Sequence, residues 1–165
     1  MIVPHLLDTN TLISAHRQYY PFDFCPGFWT WLEQKHKQKR IFSVDAVYVE
    51  LQPGGDKLSR WAKTMNRRGF FLNAGKADIT PAITRLTQWV NASDFTPEAI
   101  HELNDSADLL LIAFAKTHGY TVITDEKSEP HRKNKVKIPD ACSALQLQCI
   151  NLFDLMRAEG IRLVV

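Results

Sequence analysis

Four acidic residues stand at the ends of apolar segments in this sequence. Asp8 follows the apolar run 5–7, and Asp125 follows a second apolar run at 120–124. Glu50 lies in a short apolar segment, and Asp108 opens a longer one. Carboxylate oxygens are the ligands that Mg²⁺ and other hard divalent cations prefer, and such ions activate water and neutralise charge on a phosphate under attack. If these segments meet, the acids could form a metal site for phosphodiester hydrolysis.

Strands that alternate with helices would bring the acids together. Apolar runs predict strands from about His5, at 41–44, 120–124 and 148–150, with a short extended piece at 70–72. The alternation predicts an α/β fold, with a parallel sheet that helices cover on both sides. Ligands of open α/β sheets bind at the carboxyl ends of the strands, which is where Asp8 and Asp125 are expected to lie.

Helical spacing and capping signals predict the connecting elements. Pro21 is expected to end the first helix, Thr96-Pro97 to begin a brief one, and His118-Gly119 to end the strongly apolar one. The predicted helices cover about 10–20, 27–40, 45–51, 57–68, 80–90, 97–103, 108–115, the segment after Ile138, and 151–155.

Two of the acids also have purely structural explanations. Asp105 or Ser106 can cap the apolar helix, and a carboxylate at Asp108 is favoured in the first turn of a helix even without a function. Glu50 depends on the register of a short helix. Two separate strands each end on an aspartate, so chance is a less attractive explanation for these acids than it would be for one segment alone.

Composition indicates one folded domain over residues 1–165. The chain is 45% hydrophobic and carries a formal net charge of only +2, so nucleic-acid binding would depend on local patches. Cys25, Cys142 and Cys149 show no C-x-x-C spacing, and no signal peptide or long apolar span is present. These features favour a reducing cytoplasm and no membrane association.

Two segments each allow two interpretations. The basic segment 126–137 is either solvated surface or a loop that binds phosphates through Lys127, Arg132, Lys133 and Lys135. The aromatic segment 19–31 is either a hydrophobic corner between two helices, which we favour, or a platform for stacking unpaired bases.

Other chemistries fit the sequence less well. No glycine-rich phosphate loop is present, and the His and Cys residues lack zinc-ligand spacing. An aspartyl-phosphate mechanism at Asp8 is disfavoured because phosphatases of the haloacid dehalogenase type carry an aspartate two residues later, where this chain has Asn10.

These motifs together resemble the PIN domain, the fold of VapC-type toxin ribonucleases. The resemblance rests on the order of 7-Leu-Asp-Thr-Asn-10, Glu50, Asp108 with the helix after it, and 122-Val-Ile-Thr-Asp-125. The segments at 19–22, 25–29 and 138–140 resemble a PIN subgroup of formerly unknown function that is encoded beside helix-turn-helix regulators. The likeness extends from about residue 6 to residue 155.

The resemblance implies a PIN-like three-layer α/β/α sandwich with a mostly parallel central sheet. It also implies a Mg²⁺- or Mn²⁺-dependent endoribonuclease, the probable toxin of a type II toxin-antitoxin system. The implied metal-binding and catalytic acids are Asp8, Glu50, Asp108 and Asp125. Thr9, Asn10 and Thr124 would orient the carboxylates or water, and Asp105 and Glu126 are possible auxiliary acids.

The implied partners are an RNA substrate and a cognate antitoxin, of helix-turn-helix type in one possibility. An antitoxin that places an Arg or Lys among the carboxylates would replace the charge of the metal. Homodimerisation is common in such toxins, although no self-complementary stripe marks it here. The alternative function is a catalytically inactive PIN-fold module for binding or assembly.

Overall fold

The computed structural model describes residues 2–75 and 77–165. Within them, five strands alternate with nine α-helices. The strands are β1 His5–Leu7, β2 Ile41–Val44, β3 Phe71–Leu72, β4 Thr121–Ile123 and β5 Cys149–Ile150. The helices are α1 Thr9–Ser14, α2 Pro26–Lys37, α3 Asp45–Leu51, α4 Lys57–Arg67, α5 Thr80–Asn91, α6 Pro97–Asp105, α7 Ala107–His118, α8 Ile138–Ala144 and α9 Leu152–Ala158.

The strands form one parallel sheet in the order β3-β2-β1-β4-β5. Strand β1 lies at the centre, where Leu6 pairs with Phe42 of β2 and with Val122 of β4. Leu6, Leu7, Val122 and Ile123 are fully buried, as expected where helices cover both faces of a parallel sheet. The predicted α/β fold is confirmed, and every described strand pair is parallel rather than most of them.

Capping residues define the helices near the carboxyl edge of the sheet. The Ser106 side chain caps α7 by accepting the Asp108 amide, and Gly119 ends that helix with a positive φ of 78°. Thr96 caps α6 in front of Pro97, and Asn151 caps α9. None of the helices in the described ranges has both the length and the apolar character needed to cross a membrane.

The structure corrects several predicted boundaries. The first helix begins at Thr9 and becomes π-helical over Ala15–Tyr19, because the Tyr20 amide donates to the carbonyl of Ala15, five residues back. Helix α6 extends to Asp105 rather than ending near Leu103. Asp105 is therefore its last residue, and Ser106 alone provides the side-chain cap of α7.

The aromatic segment mostly forms the predicted hydrophobic corner. Phe28, Trp29 and Trp31 are buried, and the Trp29 indole donates to the carbonyl of Tyr20 at 2.8 Å. Tyr19 and Phe24 are the two exposed aromatic residues of the segment. The corner packs α2 against Tyr20 and Phe22 before it and against Trp61 of α4.

Candidate acidic active site

Asp8 lies at the centre of the carboxyl edge of the sheet, directly after β1. It is 1% exposed and caps α1, with Oδ1 accepting the Thr11 amide at 2.8 Å. Its Oδ2 accepts a 2.6 Å hydrogen bond from the Thr124 hydroxyl, one residue beyond β4. The two hydrogen bonds hold the carboxylate in one orientation between the ends of the two central strands.

Glu50 approaches the same edge from the last turn of α3. Its Oε2 accepts a 2.6 Å hydrogen bond from the Thr9 hydroxyl, and its Oε1 accepts the Ala107 amide at 2.7 Å. Ala107 is the first residue of α7, so a carboxylate there also complements the helix dipole. Glu50 therefore joins the starts of α1 and α7, and both of its oxygens already have donors.

Asp108 provides the acid from the first turn of α7. Its backbone amide donates a hydrogen bond to the Ser106 hydroxyl at 3.3 Å. Among the described residues, no group donates a hydrogen bond to its carboxylate. A partly buried carboxylate with free lone pairs is a suitable cation ligand. Asp108 is the member of the group best placed to bind a metal directly.

The two acids in the loop after β4, Asp125 and Glu126, have different surroundings. Glu126 raises the pKa of both Asp8 and Asp108 through its charge, and its Oε2 accepts the Ile138 amide at 2.8 Å. Asp125 instead accepts the Leu152 amide at 3.3 Å, and its charge acts on Tyr20, whose pKa is raised mainly by burial. Glu126 is thus the loop acid whose charge acts on Asp8 and Asp108, whereas the Asp125 carboxylate is hydrogen-bonded at the start of α9.

The chain at these two acids lies beyond the end of β4. The Glu126 amide donates to the Thr124 hydroxyl at 3.2 Å, and that hydroxyl donates to Asp8. Asp125 and Glu126 are adjacent acids, and no local pattern in the sequence distinguishes their roles. The Asp125 carboxylate already accepts the Leu152 amide at the start of α9. Its metal-binding role stays a prediction.

Burial, with a smaller contribution from neighbouring negative charge, raises the pKa values of the two central acids. The pKa of Asp8 rises to about 6, mainly because burial disfavours its ionised form, while hydrogen bonds from Thr11 and Thr124 oppose the rise. Burial is also the largest cause at Asp108, where the charges of Asp8 and Glu126 help to raise the pKa to about 7. Glu50 adds a smaller repulsion. A bound cation would relieve this repulsion.

The acids surround one space without enclosing a complete metal cage. Across residues 2–75 and 77–165, no three Asp, Glu, His or Cys side chains converge closely enough to hold an ion by themselves. Mg²⁺ is commonly bound through one or two carboxylates, with waters and substrate phosphates as its other ligands. An all-oxygen donor set with unneutralised carboxylates on Asp8 and Asp108 fits that mode of binding.

The remaining predicted polar residues occupy different positions around the acids. Thr9 and Thr124 bind carboxylates, as a role in orienting them requires, whereas Asn10 is exposed on α1. Asp105 points into solvent, where it pairs with His101 at 3.0 Å. Asp105 therefore lies beside the site, on α6, and not among the group that surrounds Asp108.

The four basic residues of the 126–137 loop also differ in their surroundings. Lys135 lies 3.7 Å from Glu102 and lines a small cavity together with Asp108. Arg132 pairs with Glu129, and the Lys133 ammonium lies 5.0 Å from the centre of the Phe95 ring. Lys127 is exposed. RNA contacts by these four residues stay a prediction.

An open acidic cleft adjoins the site along α6. It has a volume of about 690 Å³. Its lining includes Glu50, which also belongs to the acidic site, together with residues of α6 and its cap. The lining residues are Glu50, Pro97, Glu98, His101, Glu102, Asp105 and Ser106. A surface of this charge attracts cationic groups and repels a nucleic-acid backbone.

Comparison with solved structures supports a PIN-like fold. The chain resembles one in the crystal structure of VapBC2 from Rickettsia felis bound to a DNA fragment from their promoter, with a TM-score of 0.56 and 17% sequence identity. The match covers 92% of this chain and 98% of the other. At that identity the likeness establishes the fold alone.

Sequence comparison gives a family without an assigned activity. A search of curated proteins found no match. Residues 5–163, which include every acid of the site, match the profile of a domain of unknown function, DUF4411. The chain therefore belongs to the DUF4411 family, and it carries that family's domain on a PIN-like fold.

Proposed function

We propose that this protein is a metal-dependent endoribonuclease and the toxin of a type II toxin-antitoxin system. The observation that carries the proposal is the pair Asp8 and Asp108 near the carboxyl edge of the sheet, where burial, together with the nearby charge of Glu126, raises the pKa of both carboxyls. The PIN-like fold and its likeness to a chain of the VapBC2 complex support a toxin rather than another hydrolase.

Asp8 and Asp108 are the proposed direct ligands of Mg²⁺ or Mn²⁺. Asp108 offers oxygens without a protein donor, and Thr11 and Thr124 hold Asp8 in a fixed orientation. When bound, the cation supplies a polarised water and neutralises charge on the phosphate. Glu126 is the third proposed ligand, which would bind the metal directly or through one of its waters. It would take the role that the sequence analysis expected of Asp125.

Glu50 acts as a positioning residue in this proposal. Its two oxygens accept hydrogen bonds from Thr9 and Ala107, so it fixes the first turn of α7 relative to α1. Asp108 follows Ala107 directly. Glu50 thereby sets the distance between Asp108 and Asp8 and adds negative charge to the site without binding the metal directly.

The acidic cleft along α6 is the proposed contact for an antitoxin. The solved structure that resembles this chain contains both VapB and VapC proteins, which supports a protein partner. Glu50, Glu98 and Glu102 line the cleft, so an Arg or Lys of the antitoxin would find carboxylates there. A cationic side chain bound to Glu50 would also lie beside the proposed metal site, where its positive charge would disfavour binding of the metal ion.

Incubation of purified protein with single-stranded RNA and Mn²⁺ tests the activity. The wild type is expected to cleave RNA, and the Asp8→Asn/Asp108→Asn variant is expected to lose cleavage and Mn²⁺ binding by calorimetry. Asp23→Asn, on the exposed turn before α2, provides a control that removes one carboxylate away from the site. Cleavage that survives in the double variant would indicate a contaminating nuclease and overturn the assignment.

Expression in cells separates the nuclease from an inactive binding module. A nuclease is expected to arrest growth and to select for mutations at Asp8 or Asp108, whereas a binding module should be tolerated. A wild type that folds, binds no Mn²⁺ in the presence of RNA and does not affect growth would favour the inactive module.

A further inference from the structure

Lys135 lies at the border of the acidic site. Its side chain is 31% exposed and its Nζ lies 3.7 Å from Oε1 of Glu102. Together with Asp108 and Ser106 it lines a cavity of about 20 Å³. The Lys135 charge also opposes the rise in the pKa of Asp108, so the ammonium acts electrostatically on that carboxylate. A cation is therefore placed beside the proposed metal ligand.

The backbone on both sides of Lys135 is held by long-range contacts. The carbonyl of Lys133 accepts the Thr96 amide at 2.9 Å, and Val136 is 5% exposed. The Ile138 amide is bound by the carboxylate of Glu126 at 2.8 Å. The loop therefore presents Lys135 from a fixed position, which reduces the entropy lost when its ammonium binds a ligand.

The size of the cavity restricts what can occupy it. A volume of about 20 Å³ accommodates a single water-sized group. A non-bridging phosphate oxygen has about this size, whereas a ribose or a base does not fit. Asp108 and Glu102 in the lining would repel an anion unless Lys135 and a cation on Asp108 balanced the charge.

We propose that Lys135 is a catalytic residue that binds a non-bridging oxygen of the scissile phosphate in this cavity. The proposal rests on the nuclease function proposed above. The ammonium forms no covalent bond and keeps its proton. It stabilises the negative charge that grows on the phosphate oxygens as water adds to phosphorus and the bond to the leaving nucleotide oxygen breaks.

The neighbouring Lys133 does not share this position. Its ammonium lies 5.0 Å from the centre of the Phe95 ring and lines a separate cavity with Trp89 and Ser93. The loop is basic as a whole, yet it directs Lys135 toward Asp108 and Lys133 toward the α5 side. Location, rather than charge alone, therefore distinguishes Lys135 as the phosphate ligand.

RNA binding in an Asp8→Asn background tests the contact without turnover. Anisotropy of a labelled single-stranded RNA is measured over a range of salt concentrations for this variant alone and with Lys135→Gln, Lys135→Arg or Lys63→Gln. Lys63 is exposed on α4 and serves as the control for loss of one positive charge. Lys135→Gln is expected to weaken binding about tenfold. It should also reduce the slope of log affinity against log salt by about 0.7, the value for one lost phosphate contact on a single strand.

Cleavage by the same variants with Asp8 intact completes the test. Lys135→Gln is expected to cleave at least about tenfold more slowly, Lys135→Arg to keep most activity, and Lys63→Gln to match the wild type. Equal binding and cleavage by Lys135→Gln and Lys63→Gln would overturn the proposal for Lys135. If Lys135→Gln weakens binding but the wild type cleaves no RNA, the phosphate contact stands and the nuclease function fails.

Discussion

The carboxylate of Glu50 accepts the backbone amide of Ala107 at 2.7 Å, and this hydrogen bond ties α3 to the first residue of α7. The two residues are 57 positions apart in sequence. Because Asp108 follows Ala107, the contact fixes where Asp108 stands relative to Asp8. We therefore propose a mainly geometric role for Glu50, which the sequence pattern groups with the metal ligands.

A Glu50→Gln variant separates positioning from metal binding. The glutamine oxygen can still accept the Ala107 amide, but its nitrogen then faces Thr9, so the hydrogen bond that the Thr9 hydroxyl donates is lost or reversed and the negative charge is removed while the fold is retained. We expect RNA cleavage to fall about 10- to 100-fold, the usual range for groups that orient metal ligands. Calorimetry should show Mn²⁺ binding retained, in contrast to Asp108→Asn. Complete loss of Mn²⁺ binding would instead make Glu50 a direct ligand.

Paired substitutions in the loop after β4 distinguish the two acids there. Glu126→Gln removes a charge that faces Asp8 and Asp108, yet glutamine can still accept the Ile138 amide. We expect this variant to lose at least about tenfold in Mn²⁺ affinity. Asp125→Asn is its matched control, since asparagine can still accept the Leu152 amide and the charge lost lies toward α9. The opposite ranking would restore Asp125 as the ligand.

Asp108 should destabilise the metal-free protein at neutral pH. Its pKa is about 7 in the folded chain against an ordinary 3.8, so the folded state retains a proton that the unfolded state has lost. Stability therefore falls as pH rises from about 4 to about 7. At pH 8 we expect Asp108→Asn to unfold with a free energy about 1–2 kcal/mol higher than that of the wild type, after allowance for solvent screening.

Denaturant unfolding with a chelator at pH 4 and pH 8 measures this effect. The gain from Asp108→Asn should be present at pH 8 and become small near pH 4, where the folded carboxyl is protonated and the unfolded one is only about half ionised. Asp105→Asn is the control, because Asp105 lies three residues earlier and is exposed. A gain of equal size at both pH values would show that ionisation of the buried Asp108 carboxyl is not its cause.

Much of the fold and part of the site were predictable from local signals. The short apolar runs gave β1 and β4, and Asp8 could be placed at a strand end because a parallel sheet leaves its ligand edge there. The capping residues Thr96, Ser106 and Asn151 correctly marked helix starts. These signals act within a few residues, so the sequence alone carries them.

The details that were missed depend on contacts between distant residues. The role of Glu50 requires Thr9 and Ala107 at once, and no local pattern reports a bond to an amide so far along the chain. Lys133 and Lys135 lie two residues apart in the same basic loop, and only the tertiary structure shows Lys133 beside Phe95 and Lys135 beside Asp108. Asp125 and Glu126 are likewise adjacent, and their different partners, Leu152 and Ile138, are distant in the sequence.

The affinity of the site for Mn²⁺ should rise steeply between pH 5 and pH 8. Asp8 and Asp108 have pKa values of about 6 and about 7, and both carboxylates must lose their protons before they can bind a cation. Metal binding near pH 6 is therefore expected to release protons. Calorimetry in two buffers of different ionisation enthalpy counts the protons that the wild type releases. An affinity that does not change over this range would mean that the ion binds elsewhere, away from the two carboxyls whose pKa values are raised mainly by burial.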